Sequence, residues 1–272
     1  MHHFLLVFVL ASTALAEGDR QWNMRAAGSS GGGAVAGPVD AAIAAYERAV
    51  AENPEALEPR WKLLRALRFK GAYVARTNDE KKAIYSRAKD AGEAALKVVY
   101  RRLQLPSNAP EKQVAAAAGA VPGAAETLVW DAVNWGEWAL AYGKLAAARQ
   151  GAADRIRRNA GIAHLVDPAL EGGTPSRVLG RLHDQTPRIP FITGWASQKE
   201  AVRFLSESLK VDPANKITIV FLAEALVSDD AKTRPRAVQM LREAIAAPNP
   251  PEYQVENARA TEDARALLAK WQ

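Results

Sequence analysis

Five residues stand out for the chemistry that their types and spacing allow. At about 100° per residue, Trp130, Asn134, Trp135, Trp138 and Tyr142 fall within an arc of about 140° on one helix. Large aromatics with one amide among them suit a mostly apolar ligand that carries a single polar handle. The blander use of such a face is core packing against neighbouring helices, and the residues alone leave both uses open. Arg177, Phe191 and Trp195 lie in or beside irregular connections and are candidates for the far wall of a cleft. On the ligand-binding reading, Trp138→Ala weakens binding of an apolar, carboxylate-type ligand more than it weakens stability; equal loss of both returns the cluster to the core.

Groups for bond-making chemistry are scarce. Cysteine is absent, which removes disulfides, thiolate metal sites, cysteine nucleophiles and a lipid-modified cysteine together. Gly28-Ser29-Ser30-Gly31-Gly32 matches G-x-S-x-G, but a nucleophile elbow needs a strand before it and a helix after it, and this one sits in a low-complexity stretch. Beyond residue 3 the histidines are His164 and His183, with no H-E-x-x-H or paired-carboxylate spacing. His164 has the position of a helix cap, and His183 is a candidate to face a cavity. The chain reads as a non-enzyme with no cofactor and no metal.

The surrounding chain is divided into three parts. Phe4 to Leu10 is an apolar run followed by small residues ending in Ala14-Leu15-Ala16, the pattern of a signal sequence (1–16) cleaved after Ala16, which predicts export to the periplasm. That run is shorter than the roughly 20 apolar residues a membrane span requires. Residues 17–38 are Gly- and Ser-rich and predict a flexible linker. Residues 39–272 form the expected folded domain. A net charge of +6, from 36 basic and 30 acidic residues, is too mild for a nucleic-acid footprint.

Within that domain, residues recur as small, large and small at intervals of four and three, with a turn residue five positions on. Ala42, Tyr46, Ala49 and Pro54 follow this spacing; Ile156, Ala160, Ala163 and Pro168 repeat it with Ile and Ala in place of the first two residues; Ala201, Leu205, Ser208 and Pro213, and Ala237, Leu241, Ala244 and Asn249, follow it again. It is the spacing of the second helix of a tetratricopeptide (TPR) hairpin, where small side chains let a partner helix approach and the turn residue ends the helix. First-helix patterns follow Pro213 (Ile219, Leu222, Ala223, Leu226) and Pro54 (Trp61, Leu64), although Arg65 and Arg68 break the latter. The expected fold is all-α: about eleven helices, no sheet, TPR-like hairpins stacked into a compact superhelical domain, with irregular connections at 167–176 and 185–197.

Several segments, in this order, resemble the T-component family of tripartite ATP-independent periplasmic (TRAP) transporters over roughly residues 40–272. They are Trp61-Lys62-Leu63-Leu64-Arg65-Ala66-Leu67 with Gly71-Ala72-Tyr73; Trp130-Asp131-Ala132-Val133-Asn134-Trp135-Gly136-Glu137-Trp138; Val178-Leu179-Gly180-Arg181-Leu182-His183; and Pro251-Glu252-Tyr253-Gln254-Val255-Glu256-Asn257 followed by Asp263-Ala264-Arg265-Ala266-Leu267-Leu268. The resemblance implies a non-enzymatic periplasmic accessory protein that contacts a TRAP-type substrate-binding protein, with an internal cleft or pore for a small apolar or carboxylate ligand, and it allows homotrimer assembly. It carries Trp130, Asn134, Trp135, Trp138 and His183 over as cavity residues. The alternative is a general cell-envelope TPR scaffold for a protein or peptide partner.

Overall fold

The computed structural model describes residues 13–189 and 193–271. The apolar run Phe4 to Leu10 and the candidate wall residue Phe191 lie outside them. Thirteen α-helices occur among the described residues: α1 (Thr13–Asn23), α2 (Ala36–Glu52), α3 (Glu58–Phe69), α4 (Asn78–Leu103), α5 (Glu111–Ala118), α6 (Ala124–Tyr142), α7 (Lys144–Arg149), α8 (Ala152–Val166), α9 (Leu170–Gln185), α10 (Gln198–Val211), α11 (Lys216–Asp229), α12 (Arg234–Ala246) and α13 (Gln254–Trp271). A π-helical turn, Lys70–Val74, follows α3. No strand occurs among the described residues, so the fold is all-α.

Local chemistry sets the helix ends. Thr77 accepts a hydrogen bond from the Glu80 amide while the Glu80 carboxylate accepts from the Thr77 amide, a capping box that starts α4. Ser197 and Asn215 accept from amides three residues on to start α10 and α11. Within α9, Glu171, Gly172 and Gly173 have φ of 48°, 65° and 75°, so regular helix begins at Thr174. This is the irregular connection expected at 167–176. Glycine is favoured at 173, because a positive φ of 75° strains any other residue and a Cβ there would sit a tight 3.1 Å from the Ser208 backbone.

All twelve residues of the four sets at intervals of four and three are buried, none more than 5% exposed. Each set faces the helix before it in packing order: α2 on α1, α8 on α6, α10 on α9 and α12 on α11. A buried carboxylate joins the middle of the chain. Asp131 accepts from Asn159 Nδ2 at 2.7 Å and from Arg155 Nε at 3.3 Å, and a Cβ on Gly92 of α4 would lie 2.3 Å from its Oδ1.

Residues 17–38 depart from the flexible-linker expectation. Residues 17–23 continue α1, which packs along α2, and Trp22 and Ala34 join the core around Tyr46, Phe69 and Tyr73. The physical reason lies in how the polar and glycine residues are used. Asp19 accepts from Tyr46 Oη at 2.9 Å and from Lys62 Nζ at 2.8 Å. Gly18 lies against the Tyr46 ring, where a Cβ would come within 2.5 Å. The Gly-rich stretch is a turn closed by reciprocal Ser30–Gly33 backbone hydrogen bonds and seated on α13: Gly32 N donates to Glu262 at 2.8 Å, and a Cβ on Gly32 would lie 2.7 Å from Arg259 Cα. Gly18→Ala is therefore expected to lose about 1–3 kcal/mol by overpacking against Tyr46, read as a lower urea midpoint at unchanged slope; an unchanged midpoint removes the close-approach argument.

The last helix reaches back to the segment that follows the first. Arg25 Nε donates to Glu256 at 3.1 Å, Arg25 also donates to the Glu252 carbonyl, and Val255 is buried among Trp22, Phe69 and Tyr73.

Candidate functional site

A cavity of about 290 Å³ opens where the end of α3, the π turn, α4, the end of α6, α11 and α13 meet. One wall is a polar network. Arg68, near the end of α3, donates from Nε to Glu137 Oε1 at 2.9 Å and from Nη1 to Tyr73 Oη at 2.8 Å. The π turn places Tyr73 five residues beyond Arg68, within reach of it. Gly71 inside that turn lets the Tyr85 ring approach, since a Cβ there would lie 2.4 Å from the ring.

The charge state of this wall follows from its surroundings. Burial works against the Arg68 cation, but Tyr73 and Glu137 outweigh it and hold its pKa above the ordinary value. Burial raises Tyr73, and burial together with Glu137 raises Tyr85, so both phenols stay neutral at physiological pH. Arg68 and Glu137 form an ion pair, and the two hydroxyls beside them are neutral. Ile217, Val220 and Phe221 of α11 supply an apolar wall, with Leu140 and Ala141 of α6; Glu256, Arg259 and Asp263 of α13 complete the lining.

The sequence-predicted residues lie elsewhere. Trp135 and Trp138, 2% and 6% exposed, pack with Ile156, Ala160, Leu179 and Leu182 in the core between α6, α8 and α9. Trp130 packs against the neighbouring core around Leu128. Asn134 is fully buried, and its Nδ2 donates to the carbonyls of Leu64 (3.0 Å) and Trp130 (2.9 Å), tying α6 to α3. Tyr142 is exposed, stacks on Trp138 at 4.7 Å and shares a hydrogen bond with Ser86. Trp195 packs on the α6–α8–α9 core with the Arg157 guanidinium 4.8 Å from its ring centroid. Arg177 hydrogen-bonds Thr174, Thr218 and the Gly172 carbonyl. From α6 the cavity takes Glu137, Leu140 and Ala141, so the aromatic arc serves the core beside it. The sequence carries a signal for the polar wall: Arg68 stands where a first-helix pattern calls for an apolar residue.

His183 holds the connection between α9 and α10. Its Nδ1 accepts from the Ser197 amide at 3.2 Å, and its ring meets Trp195 edge-on and stacks on Phe204. It also borders a second, polar groove of about 540 Å³, with Lys144, Asp184, Lys199 and Asp229. Burial lowers the His183 pKa below 6.5, Glu200 opposing and Arg203 and Arg157 adding; burial likewise lowers His164, which shares a hydrogen bond with Ser176. Depressed values mean that below pH 6.5 the unfolded chain takes up protons that the folded one refuses, so stability falls as pH drops from 6.5 toward the folded values. The melting temperature is expected to fall between pH 7 and pH 5, with a shallower slope in His183→Gln; an identical slope in that variant removes His183 as the cause.

Among the described residues no helix is long and apolar enough to cross a membrane, and no group of three or more His, Asp or Glu side chains is placed to hold a metal ion. No protein-family model matches the chain, and no curated protein matches it.

Proposed function

We propose that this chain is an exported, non-enzymatic accessory protein of the TRAP T-component kind, built of TPR-like hairpins, that binds a TRAP-type substrate-binding protein and accepts a small apolar or carboxylate ligand in the cavity between α3, α4, α6, α11 and α13. The observation that carries the reading is that cavity: an ion-paired polar wall (Arg68, Glu137, Tyr73) faces an apolar one (Val220, Phe221, Leu140) in an all-α fold. A cleft with one polar side and one apolar side suits an amphipathic small molecule. The burial of all four sets against the preceding helix supports the hairpin reading. Cleavage after Ala16 would remove the first turn of α1, with buried Ala14 and core-packed Leu15, and would leave Gly18, Asp19 and Trp22, which fix α1 to α2 and α3, in the mature chain.

The test is co-purification of the mature protein with a TRAP-type substrate-binding protein, with intact-mass and small-molecule mass spectrometry of the isolated material and light scattering for the homotrimer. Retention of the binding protein and of an apolar or carboxylate small molecule is expected. Retention of peptides or unrelated envelope proteins with an empty cavity turns the reading toward a general envelope scaffold.

A further inference from the structure

Six charged side chains line the cavity between α3, α4, α6, α11 and α13, and four of them are already engaged. Arg68 and Glu137 hold each other at 2.9 Å. Glu256 accepts from Arg25 Nε at 3.1 Å. Arg259 has the Glu262 carboxylate at 3.2 Å and donates to the Gly32 carbonyl at 3.3 Å. Lys81 and Asp263 remain. Among the described residues neither side chain makes an ion pair or a hydrogen bond, so the two stand too far apart to pair with each other.

Both face the cavity from their own helices. α4 gives the lining Asn78, Lys81 and Tyr85, and α13 gives it Glu256, Arg259, Ala260 and Asp263; residues three and four apart form one helix face, so each stripe is turned inward. A cation therefore stands on one wall and an anion on another. Lys81 is half-buried and Asp263 exposed, which places the two charges toward the mouth. Val220 is 4% exposed and Phe221 half-buried, so α11 offers its apolar surface further in.

This layout limits what fits. A ligand with a single charge would answer one of the two free groups and be repelled by the other. The volume, about 290 Å³, lies at the small end of ligand pockets, which run from roughly 300 to 1,000 Å³, so the molecule is compact. Opposite charges on one short molecule, with an apolar side chain between the walls, meet all three conditions.

We infer that the cavity binds a zwitterionic amino acid with an apolar side chain: Lys81 takes its carboxylate, Asp263 takes its ammonium group, and its side chain lies against Val220 and Phe221. The inference rests on the cavity-binding reading above and adds to it the ligand's second charge and the two residues that hold it. Charge-assisted hydrogen bonds at both ends supply the selectivity.

Three probes share one isobutyl body and separate the two charges: L-leucine, 4-methylpentanoate, which lacks the ammonium group, and 3-methylbutan-1-amine, which lacks the carboxylate. Calorimetric titration of the mature protein at pH 7 is expected to show leucine binding about tenfold or more tighter than either analogue. Asp263→Asn erases the advantage over 4-methylpentanoate, and Lys81→Gln erases the advantage over the amine. Neither side chain has a partner to lose, so both variants are expected to melt as the wild-type chain does, and their unliganded melting temperatures check this. An analogue that binds as tightly as leucine, or an advantage that survives its variant, overturns the amino-acid reading while leaving the cavity as a binding site. Binding of none of the three overturns the cavity reading as well.

Discussion

Trp138→Ala is expected to lower the unfolding free energy by about 3–5 kcal/mol, the range for removing a large aromatic from a packed core, and to leave cavity ligand affinity unchanged in the folded fraction. Trp138 is 6% exposed, meets Trp135 edge-on at 5.6 Å and stacks on Tyr142 at 4.7 Å, in the core shared by α6, α8 and α9. The cavity takes different residues from α6, so the indole is far more a stability element than a ligand contact. Urea denaturation followed at two wavelengths measures the first quantity, and titration of the folded protein the second. A loss under about 1 kcal/mol together with weakened ligand binding would place the aromatic arc back on a ligand surface, as the spacing alone allows.

Glu137→Leu is the second large effect, at about 3 kcal/mol of destabilisation. Removing one member of a buried pair leaves its partner's charge uncompensated, which costs about 3–5 kcal/mol for fully buried pairs; here each side chain keeps about a fifth of its exposure, which favours the lower end. In the variant Arg68 keeps only the Tyr73 hydroxyl. The double change Arg68→Met with Glu137→Leu is expected to recover much of the loss, since two apolar side chains have no charge to desolvate. A thermodynamic cycle over the four proteins gives the coupling directly. Additive losses would mean that the pair does not act as a unit and that the polar wall is not one network.

These two expectations show where spacing was a good guide. Ala42, Tyr46 and Ala49, and the three further sets at the same intervals, read as core and are buried to within a few per cent, because residues four and three apart share the helix face that a neighbour covers. The start of α4 is also a local matter, set by Thr77 and Glu80 three residues apart. The aromatic arc was visible as an arc, but periodicity reports which residues share a face and not what stands opposite it. Residues 17–38 were the larger departure. Their glycines look like slack in a one-dimensional reading, whereas Gly18 and Gly32 are points where a ring and a helix backbone come too close for a side chain.

The all-α class, the buried stripes of α2, α8, α10 and α12, and the scarcity of catalytic groups follow from residue types and intervals, which act over one or two helical turns and are therefore local. The cavity does not. Arg68, Tyr73, Glu137, Val220 and Asp263 come from α3, the π turn, α6, α11 and α13, and they meet only because α13 returns to the N-terminal helices. Arg177 was a candidate from its place beside an irregular connection, but its lack of a carboxylate partner is a property of three dimensions, set by which side chains the packing brings within ion-pair range. Charge pairing depends on distances between residues far apart in the chain, and those distances exist only once the helices have packed.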